Sequence, residues 1–543
     1  MTLRRHRLLP LIGLACALSV RAAEPVVDFV VVPADTLIGL SNSVLVSPAA
    51  WREVARLNRL PDPNRILPGQ VLKIPTRLLR ARSVDARLVS AVGDVRIGDA
   101  AAAAGAAVAE SQSVHTGPAS SAVVELADGS RLRLPPSSLA QVAASRQLGA
   151  RGGATSASDG WFAGTMRVLR GSVEVVASKV LRARPLEVVT PTAVVGVRGT
   201  RYRVGLDDET GARTHSEVTE GVVRFDAARG SAGADVAAGY GAVADASGAA
   251  PSVVKLLPAP DLSTLAARFE KPVVRFALAG ETAALRVQIA SDIGFDKIVA
   301  DQRVAAGDEV RIAGLDDAQW HLRARRVDAL GIEGFDASRM FELKARPEPP
   351  AYRAPRADAK QQVGAVQFAW VPNAEATQAR WQVAEDEAFT KIVQERDAVA
   401  GGTLRADIAA PGVYHWRVAS LRASGDQGPF GDAQRFELRP FPTPPTVARS
   451  ADGSGFSFRW SGRAQDHQQV ELAGDAAFTR LVATDELAAA EWTLPAPRGG
   501  RYYFRYRSVE PDGYVTPYSE PLIVDVPRDW AIWLLLLPLI GLF

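Results

Sequence analysis

Hydrophobic and polar residues alternate along most of the chain after residue 80, with the period of two that predicts β-strands. Two such runs, Ala122–Leu126 and Leu132–Leu134, stand on either side of Asp128-Gly129. An Asp-Gly pair between alternating runs is a strong signal for a β-hairpin. Leu169–Val173 carries a second tight-turn signal. The pattern predicts a mainly β, multidomain protein.

Helical spacing is confined to a short stretch near the N-terminus. Trp51, Val54 and Ala55 share one helical face. Ser47 and Pro48, just before them, are typical of the start of a helix, because serine caps the first turn and proline suits its first position. The sequence therefore predicts one helix after residue 47.

A shorter helix is predicted after Asp35, whose side chain is expected to cap it. Strands are predicted at Phe29–Val32 and Val71–Ile74, so residues 28–77 have the order β-α-α-β and resemble a LysM module. LysM modules bind glycans that contain N-acetylglucosamine, chiefly peptidoglycan, in a groove between the loop after the first strand and the loop before the second. Carried over to this chain, the resemblance implies glycan-binding residues Asp35, Thr36, Leu37, Leu60, Pro61, Ile66, Leu67 and Pro68.

One position departs from the LysM pattern. Where the family has Gly-Asp-Thr-Leu, this chain has Ala34-Asp35-Thr36-Leu37. Alanine lacks the freedom of glycine to adopt a positive φ, so the loop is expected to be reshaped. Two outcomes stay open: a working glycan groove, and a LysM fold that has kept its core and lost its sugar affinity.

Residues 84–245 contain further alternating segments around one specific motif. Thr190-Pro191-Thr192-Ala193 is followed by Val197-Arg198-Gly199-Thr200, and the combination resembles a FecR domain. The resemblance implies an all-β fold. Regulators of that family relay a signal through the inner membrane to a sigma factor, which needs a cytoplasmic segment. Only Met1–Arg7 could supply one here, so the domain is predicted to be a periplasmic interaction or sensing module.

Arg198 has two interpretations. As a functional residue it would contact an anion. As a structural residue between Gly196 and Gly199 it would satisfy a turn or a carboxylate, and this second interpretation is favoured.

An internal repeat follows a linker at residues 246–260. Phe276, Phe368 and Phe458 begin equivalent segments that are 92 and 90 residues apart. Each segment is followed by an alternating strand and a short tag; the tags are Phe295–Val299, Phe389–Val393 and Phe478–Val482. Repeats of this length with proline-rich joints resemble fibronectin type III or immunoglobulin-like sandwiches. Three tandem β-sandwiches are predicted, at residues 261–346, 351–440 and 444–527, which would form a spacer.

Aromatic residues in the repeats are predicted to fill the sandwich cores. Trp320, Tyr414 and Tyr502 each lie eleven residues before a glycine and each begin an alternating strand. Inward-facing aromatics at strand spacing are the ordinary filling of such sandwiches. Stacking of a glycan on Trp416 or Tyr502 is the less favoured alternative.

The two ends of the chain are apolar. Residues 1–23 combine arginines, an apolar run and small residues, as in a secretory signal peptide. The only cysteine, Cys16, lies inside it. Residues 529–543 form an apolar tail, predicted as a short helix of about 21 Å against a hydrocarbon core of about 30 Å. Membrane contact by the tail is predicted, and packing against the last sandwich or a partner is the alternative.

Charge argues against nucleic acid as a partner. The chain has 63 basic and 60 acidic residues, a formal charge of +3, but four of its arginines fall in the predicted signal peptide. The remainder is close to neutral, with both signs interspersed, and offers no basic footprint.

The sequence contains no recognisable catalytic constellation. Its six histidines are scattered without the spacing of metal ligands, and no nucleophile elbow, P-loop or dinucleotide fingerprint occurs. No enzyme activity, cofactor or metal site is predicted. Cell-wall hydrolysis by an unrecognised site remains the third-ranked hypothesis.

Together these features predict a non-enzymatic protein of the periplasm or cell envelope. It would bind peptidoglycan through the LysM module and act as a scaffold or sensor through the FecR-like domain. The alternative is a signal-relay subunit of a membrane sensor, in which a membrane protein is the main partner and glycan binding is vestigial.

Overall fold

The computed structural model describes residues 24–150, 160–180, 182, 184–197, 199–207, 212–229, 232–278, 280–449, 455–495 and 497–526. The predicted signal peptide, the apolar tail and Arg198 lie outside these residues. The chain divides into two compact units between Leu343 and Lys344, and each is described by itself. Strands far outnumber helices in both units, which confirms the mainly β fold class.

The first unit begins with a small β-α-α-β module, as the sequence predicts. Its elements are β1 (Val26–Val30), α1 (Leu37–Ser43), a 3₁₀ turn (Pro48–Ala50), α2 (Trp51–Leu57), β2 (Val71–Pro75) and a second 3₁₀ turn (Thr76–Leu78). β1 and β2 pair antiparallel, with Phe29 opposite Leu72. The buried side chains of both strands face the two helices and form a hydrophobic core distinct from the one between the large sheets.

The helix starts of this module are only partly as predicted. Ser47 caps the 3₁₀ turn that leads into α2, since its hydroxyl accepts from the backbone N–H of Ala49 at 3.2 Å. The cap of α1 is Thr36 and not Asp35: the Thr36 hydroxyl accepts from the N–H of Gly39 at 3.0 Å. The prediction for Asp35 is wrong because its carboxylate accepts the N–H of Val32 instead, at 2.8 Å.

The following region is built only of strands. These are β3 (Ala81–Ser83), β4 (Ala86–Val92), β5 (Val95–Ile97), β6 (Ala100–Ala101), β7 (Ala107–Val108), β8 (Ser113–Thr116), β9 (Ser121–Glu125), β10 (Arg131–Leu134), β11 (Leu139–Leu148), β12 (Trp161–Arg170), β13 (Ser172–Val176), β14 (Leu186–Val189), β15 (Ala193–Val197), β16 (Arg201–Leu206), β17 (Arg213–Glu220), β18 (Val222–Ala227), β19 (Gly233–Ala237), β20 (Tyr240–Asp245) and β21 (Ser252–Lys255).

These strands form two large sheets that enclose one core. One has nine strands in the order β21-β20-β17-β16-β13-β10-β9-β4-β7, and the other ten in the order β19-β18-β15-β14-β12-β11-β8-β5-β6. β3 pairs with β11 at the side of the second sheet. Alternate apolar residues of both sheets are buried between them, as the period of two predicts.

Both predicted turns of this region are present. Gly129, with φ of 81°, closes the hairpin between β9 and β10. Gly171, with φ of 72°, joins β12 to β13, which belong to different sheets. The second turn therefore carries the chain across the core, whereas the first keeps it in one sheet.

The first repeat completes the first unit as a sandwich of two sheets. Its strands are β22 (Arg268–Phe269), β23 (Val274–Phe276), β24 (Ala284–Ala290), β25 (Ile298–Val304), β26 (Val310–Ile312), β27 (Ala318–Val327) and β28 (Ala337–Leu343). The sheet orders are β22-β28-β27-β24-β25 and β23-β26.

The second unit contains the second and third repeats, each again with two sheets. The second repeat has β29 (Ala351–Ala354), β30 (Ala359–Gln362), β31 (Gly364–Val371), β32 (Gln378–Ala384), β33 (Ile392–Ala400), β34 (Thr403–Ile408), β35 (Gly412–Leu421), β36 (Gln427–Phe430) and β37 (Gln434–Arg439). The third has β38 (Thr446–Arg449), β39 (Gly455–Arg459), β40 (His467–Ala473), β41 (Leu481–Leu487), β42 (Glu491–Pro495), β43 (Gly500–Val509) and β44 (Leu522–Val526).

The aromatic residues that the repeat pattern singles out lie in the cores or at their edges. Trp416 is fully buried and Tyr414 and Trp320 are nearly so, while Tyr502 is half-buried at the edge of its core. The rings of Phe368 and Trp416 meet edge to face, with centroids 5.3 Å apart. Their burial explains why aromatic residues recur at these strand positions.

The repeated tag forms the same turn three times. Phe295, Phe389 and Phe478 have φ of 55°, 56° and 55°, a conformation that bulky residues rarely adopt. An aspartate three residues earlier accepts two backbone N–H groups just after each phenylalanine; these aspartates are Asp292, Asp386 and Asp475. The tag is thus a structural motif of the sandwich, held by a side chain that substitutes for backbone partners.

Candidate functional site

The two loops predicted to form the glycan groove lie side by side. The backbone pairing of β1 and β2 continues past both strands: the N–H of Gly69 donates to the carbonyl of Val31 at 2.8 Å, and the N–H of Val31 to the carbonyl of Gln70 at 2.9 Å. The loop at 31–36 and the turn at 66–70 therefore emerge from one end of the same two-stranded sheet.

The predicted groove residues divide into exposed and buried groups. Leu67 has 58% of its surface exposed, and Pro61 and Pro68 are exposed as well. Leu37 and Ile66 point into the core of the module, and Leu60 packs against it. The first group offers apolar side chains that a ligand could reach, and the second group supports the loops from the core.

Asp35 and Thr36 shape the loop through their backbone contacts. The Asp35 carboxylate and the Thr36 hydroxyl are both engaged with N–H groups of the loop and of α1. The Leu67 N–H donates to the side-chain oxygen of Gln70 at 2.9 Å, which fixes the opposite turn. Both sides of the predicted groove are thus ordered by local hydrogen bonds.

Sequence reasoning missed two exposed apolar residues beside these loops. Val32 is 38% exposed and Ile38 is 54% exposed. Ile38 follows the cap of α1 and is off the helical face that Leu37 and Leu40 bury. The position of Ile38 outside the buried helical face is the sequence signal that could have identified it as exposed.

Ala34 keeps the backbone conformation that was expected to require glycine. Its φ is 73°, in the left-handed region. A residue with a Cβ pays roughly 1–2 kcal/mol for this conformation. The loop is therefore not rebuilt around the alanine; the module carries the strain instead.

We expect Ala34→Gly to stabilise the module by about 1 kcal/mol, because glycine adopts this φ without steric cost. Hydrogen exchange of the α1 and β2 backbone amides would measure the change. Ala49→Gly, in the 3₁₀ turn, is the matched control and should destabilise instead. Equal effects of the two substitutions would show that φ at residue 34 carries no strain.

The module shares its core with the β-region that follows it. The ring of Phe29 lies 6.0 Å from the ring of Trp161, and Leu148 is buried in the same core. Leu148, the last residue of β11, pairs with Trp161, the first residue of β12, at the end of the hairpin where the two strands are connected. No sequence pattern linked these strands to the module, since the contact joins residues more than a hundred positions apart.

The Thr-Pro-Thr motif has a structural role. Thr190 and Thr192 form the turn between β14 and β15, and both hydroxyls lie within 2.7 Å of the Thr214 hydroxyl on β17. Thr190 also accepts the N–H of Ala193 at 2.9 Å. All three threonines are buried, so this part of the motif ties one sheet to the other and offers no surface to a ligand.

A buried ionic cluster joins the same β-region to the first repeat. Its centre is Glu333, only 1% exposed, whose carboxylate lies 2.5 Å from nitrogens of both Arg286 and Arg325. Arg203 on β16 reaches the same carboxylate at 3.8 Å and donates to the carbonyl of Gly334 at 2.7 Å. The cluster therefore holds groups from both sides of the interface.

The charges of this cluster stabilise one another. Burial opposes ionisation of Glu333, but the guanidinium groups of Arg286, Arg325 and Arg203 outweigh it and hold its pKa well below the usual range. Asp336 responds in the same way, and its pKa is lowered to about 2. Both acids stay ionised in the interface.

His215 extends the cluster along β17. Its Nδ1 lies 2.7 Å from the carboxylate of Glu217. The ring also covers Gly205 so closely that a Cβ added at Gly205 would lie 2.4 Å from the ring atoms. Burial favours the neutral ring, yet the Glu217 and Glu333 carboxylates raise its pKa above 6.5 overall. The charged imidazolium is the form that the fold prefers.

This gives a pH dependence of defined sign. A pKa raised on folding stabilises the protein below the unfolded value of about 6.5, and the stabilisation is lost as pH rises through the folded pKa. We expect the His215→Asn substitution to lower the free energy of unfolding more at about pH 5.5 than at about pH 9. Hydrogen exchange of the β16 and β17 amides, corrected for the intrinsic exchange rate at each pH, measures the difference; a gap that widens toward high pH would contradict the raised pKa.

A cleft of about 450 Å³ opens beside the cluster. Each arginine at its wall has an acidic neighbour, so the charges are nearly matched. The pairs are Arg133 with Glu174, Arg201 with Glu220, Arg203 with Asp336 and Arg323 with Glu174. We assign these charged residues to the interface between the β-region and the first repeat.

Two family models match the chain. The LysM domain model matches residues 29–75, and the FecR protein model matches residues 112–224. The chain carries a LysM domain and a FecR domain. The LysM match covers the β-α-α-β module with both groove loops, and the FecR match spans strands of both large sheets together with the Thr-Pro-Thr turn.

Solved structures show weaker similarities. A Parabacteroides distasonis ATCC 8503 protein assigned as an anti-sigma factor matches at 14% identity and a TM-score of 0.20, over 26% of this chain and 59% of that protein. The FN1-FN3 domains of chicken CNTN1 match at 12% identity and 0.20, over 48% and 96%. Fibronectin(III)-like modules of Clostridium thermocellum CbhA match at 14% and 0.21, over 33% and 94%. No curated protein matches significantly.

The two families define what the domains do in general terms. LysM domains are glycan-binding modules and FecR domains are sensory or regulatory modules, and neither family is catalytic. Within the described residues, no group of three or more metal-ligating side chains is placed to hold a metal ion. The helices of the described ranges are all too short or too polar to span a bilayer.

Proposed function

We propose that the protein is a non-enzymatic component of the cell envelope that binds peptidoglycan through its LysM domain and acts as a periplasmic scaffold or sensor through its FecR domain. The observation that carries the proposal is the LysM match at residues 29–75, in a module whose two groove loops are ordered and present exposed apolar side chains.

The groove residues have two roles in this proposal. Pro61, Leu67 and Pro68 contact the glycan, because the apolar faces of sugar rings pack on exposed apolar side chains. Asp35 and Thr36 hold the first loop in shape through the hydrogen bonds described above. Leu37, Leu60 and Ile66 support both loops from the core.

The FecR domain and the first repeat act as one body in this proposal. The buried ionic cluster joins them, so a partner that binds either one is held in fixed orientation to the other. A membrane protein is the proposed partner, and the apolar tail at 529–543 is the proposed membrane contact. The proposed location is the periplasm, after removal of residues 1–23.

The proposed domain limits follow the sequence. They are 28–77 for LysM, 84–245 for FecR, 246–260 for the linker, and 261–346, 351–440 and 444–527 for the three repeats.

A signal-relay subunit is the second candidate, and one observation favours it. Because Trp161 and Leu148 of the β-region complete the LysM core, a displacement of the LysM domain is transmitted directly to the β11–β12 hairpin. Cross-linking from the FecR domain in intact cells tests this candidate: capture of an integral membrane sensor supports it, and the absence of any membrane partner would count against it.

Cosedimentation with purified, insoluble peptidoglycan tests the main proposal. We expect the wild-type protein to pellet with it. Leu67→Asp should remain in the supernatant, because the substitution places a charge on the most exposed apolar side chain of the groove loops without touching the core.

A further inference from the structure

A second cleft lies between the LysM domain and the FecR domain, away from the groove loops. It encloses about 350 Å³, within the size range of ligand pockets, which is about 300–1,000 Å³. Thr76, Arg77 and Leu79 of the segment after β2 form one wall. The outer face of the ten-stranded sheet forms the floor, where Ala144 and Ala163 leave room above the backbone.

Arg184 stands at this cleft without a carboxylate partner in the described part of the chain. Its Nε and Nη2 both donate to the hydroxyl of Thr76, at 3.3 and 3.2 Å. Thr76 is itself buried and fixed by a hydrogen bond from its N–H to the carbonyl of Pro25. The neutral hydroxyl orients the guanidinium but leaves its charge uncompensated.

Glu187 presents the opposite charge at the same cleft. It lies on β14 beside Thr165 of the parallel strand β12. The carboxylate is half-exposed and makes no hydrogen bond or ion pair with any described residue. The other two arginines of the wall differ from Arg184, since Arg146 is paired with Glu110, and Arg77 with Glu24 and Glu53.

From these observations we infer that the cleft binds a short peptide that carries both a free carboxylate and a free amino group, and that this peptide is the stem peptide of peptidoglycan. The carboxylate pairs with Arg184 and the ammonium with Glu187. Ala144 and Ala163 on the floor leave room for a peptide backbone. The inference rests on the proposed function, because a LysM domain bound to glycan brings the attached peptides next to its own flank.

Two polymers separate this inference from the proposed function. Intact sacculi carry both glycan and peptides, whereas sacculi treated with an amidase keep the glycan alone. We expect the full-length protein to bind intact sacculi about fivefold more tightly than stripped glycan, which corresponds to about 1 kcal/mol. Arg184→Ala should bind both polymers with the affinity that wild type has for stripped glycan.

Further variants isolate the charge at each end of the peptide. Glu187→Gln should lose part of the preference for intact sacculi over stripped glycan. Acetylation of the free amines of sacculi should weaken binding by the wild-type protein but not by Glu187→Gln. Arg82→Ala removes an exposed arginine on β3 outside the cleft, and should keep the full preference.

The outcomes are distinguishable. Equal binding of wild type to both polymers would overturn the peptide site and leave glycan binding intact. A preference that Arg184→Ala retains would also overturn it. Absence of binding to either polymer would overturn the proposed function together with this inference.

Discussion

Replacement of Glu333 by alanine lowers the stability of the FecR domain and the first repeat by about 3–5 kcal/mol. The substitution removes the carboxylate that Arg286 and Arg325 approach to 2.5 Å and leaves both guanidinium groups buried without it. Arg203, at 3.8 Å, loses the same partner. Arg286 keeps Asp301 and Arg325 keeps Asp336, but the buried cluster loses one negative charge that its arginines need. A charge imbalance in a buried cluster is far more costly than a lost surface pair.

The measurement is hydrogen exchange along β16, β17, β24 and β27, because a multidomain chain does not unfold in one step. Faster exchange in strands on both sides of the interface is the expected result. Glu342→Ala is the matched control: its carboxylate is 47% exposed and lies 3.5 Å from Arg268, so its loss should cost under about 1 kcal/mol. Similar exchange in both variants would show that the cluster contributes little to stability.

Trp161→Ala loosens the LysM domain although it lies outside it. The indole packs against Phe29 and covers one side of the LysM core. A fully buried tryptophan costs about 3–5 kcal/mol when truncated, and Trp161 is half-buried, so we expect a loss of about 2–3 kcal/mol. Amides of β1 and α1 should then exchange faster.

Tyr240→Ala supplies the control for this variant. Tyr240 is an aromatic residue of the same β-region, is 43% exposed, and has no contact with the LysM core. Its truncation should leave exchange in β1 and α1 unchanged. Unchanged exchange in Trp161→Ala as well would mean that the LysM domain is stable by itself.

Local signals explain the parts of the fold that the sequence predicts correctly. The Asp128-Gly129 hairpin depends on a turn that two residues specify, and the α2 start depends on Ser47 and Pro48. The same kind of reasoning failed at Asp35, where two neighbouring residues are both good caps and only the loop geometry decides that Thr36 fills the position.

The ionic interface could not be predicted because strand periodicity does not say what covers a polar face. Arg203 and Glu217 occupy the polar positions of alternating strands, which the pattern assigns to water. In the structure the first repeat covers that face, and Arg203 and Glu217 are buried with partners from that repeat. Long-range packing of this kind leaves no trace in a local pattern.

The candidate groove was predictable only at the level of its loops. The resemblance located both loops, but side-chain direction within them depends on the pairing of Val31 with Gly69 and Gln70. That pairing buries Ile66 and exposes Leu67, two adjacent residues with opposite roles. The expectation about Ala34 failed because the surrounding hydrogen bonds impose the positive φ.

Cosedimentation of three full-length proteins with purified sacculi tests the central claim most directly. Leu67→Asp alters the groove turn, and Val26→Asp places the same charge on an exposed valine at the opposite end of β1 and β2. Deleting the LysM domain would uncover Trp161 and Leu148, so single substitutions are the cleaner comparison. We expect wild type and Val26→Asp to pellet and Leu67→Asp to stay in solution. Failure of wild type to pellet, or equal pelleting of all three, would contradict glycan binding by this groove.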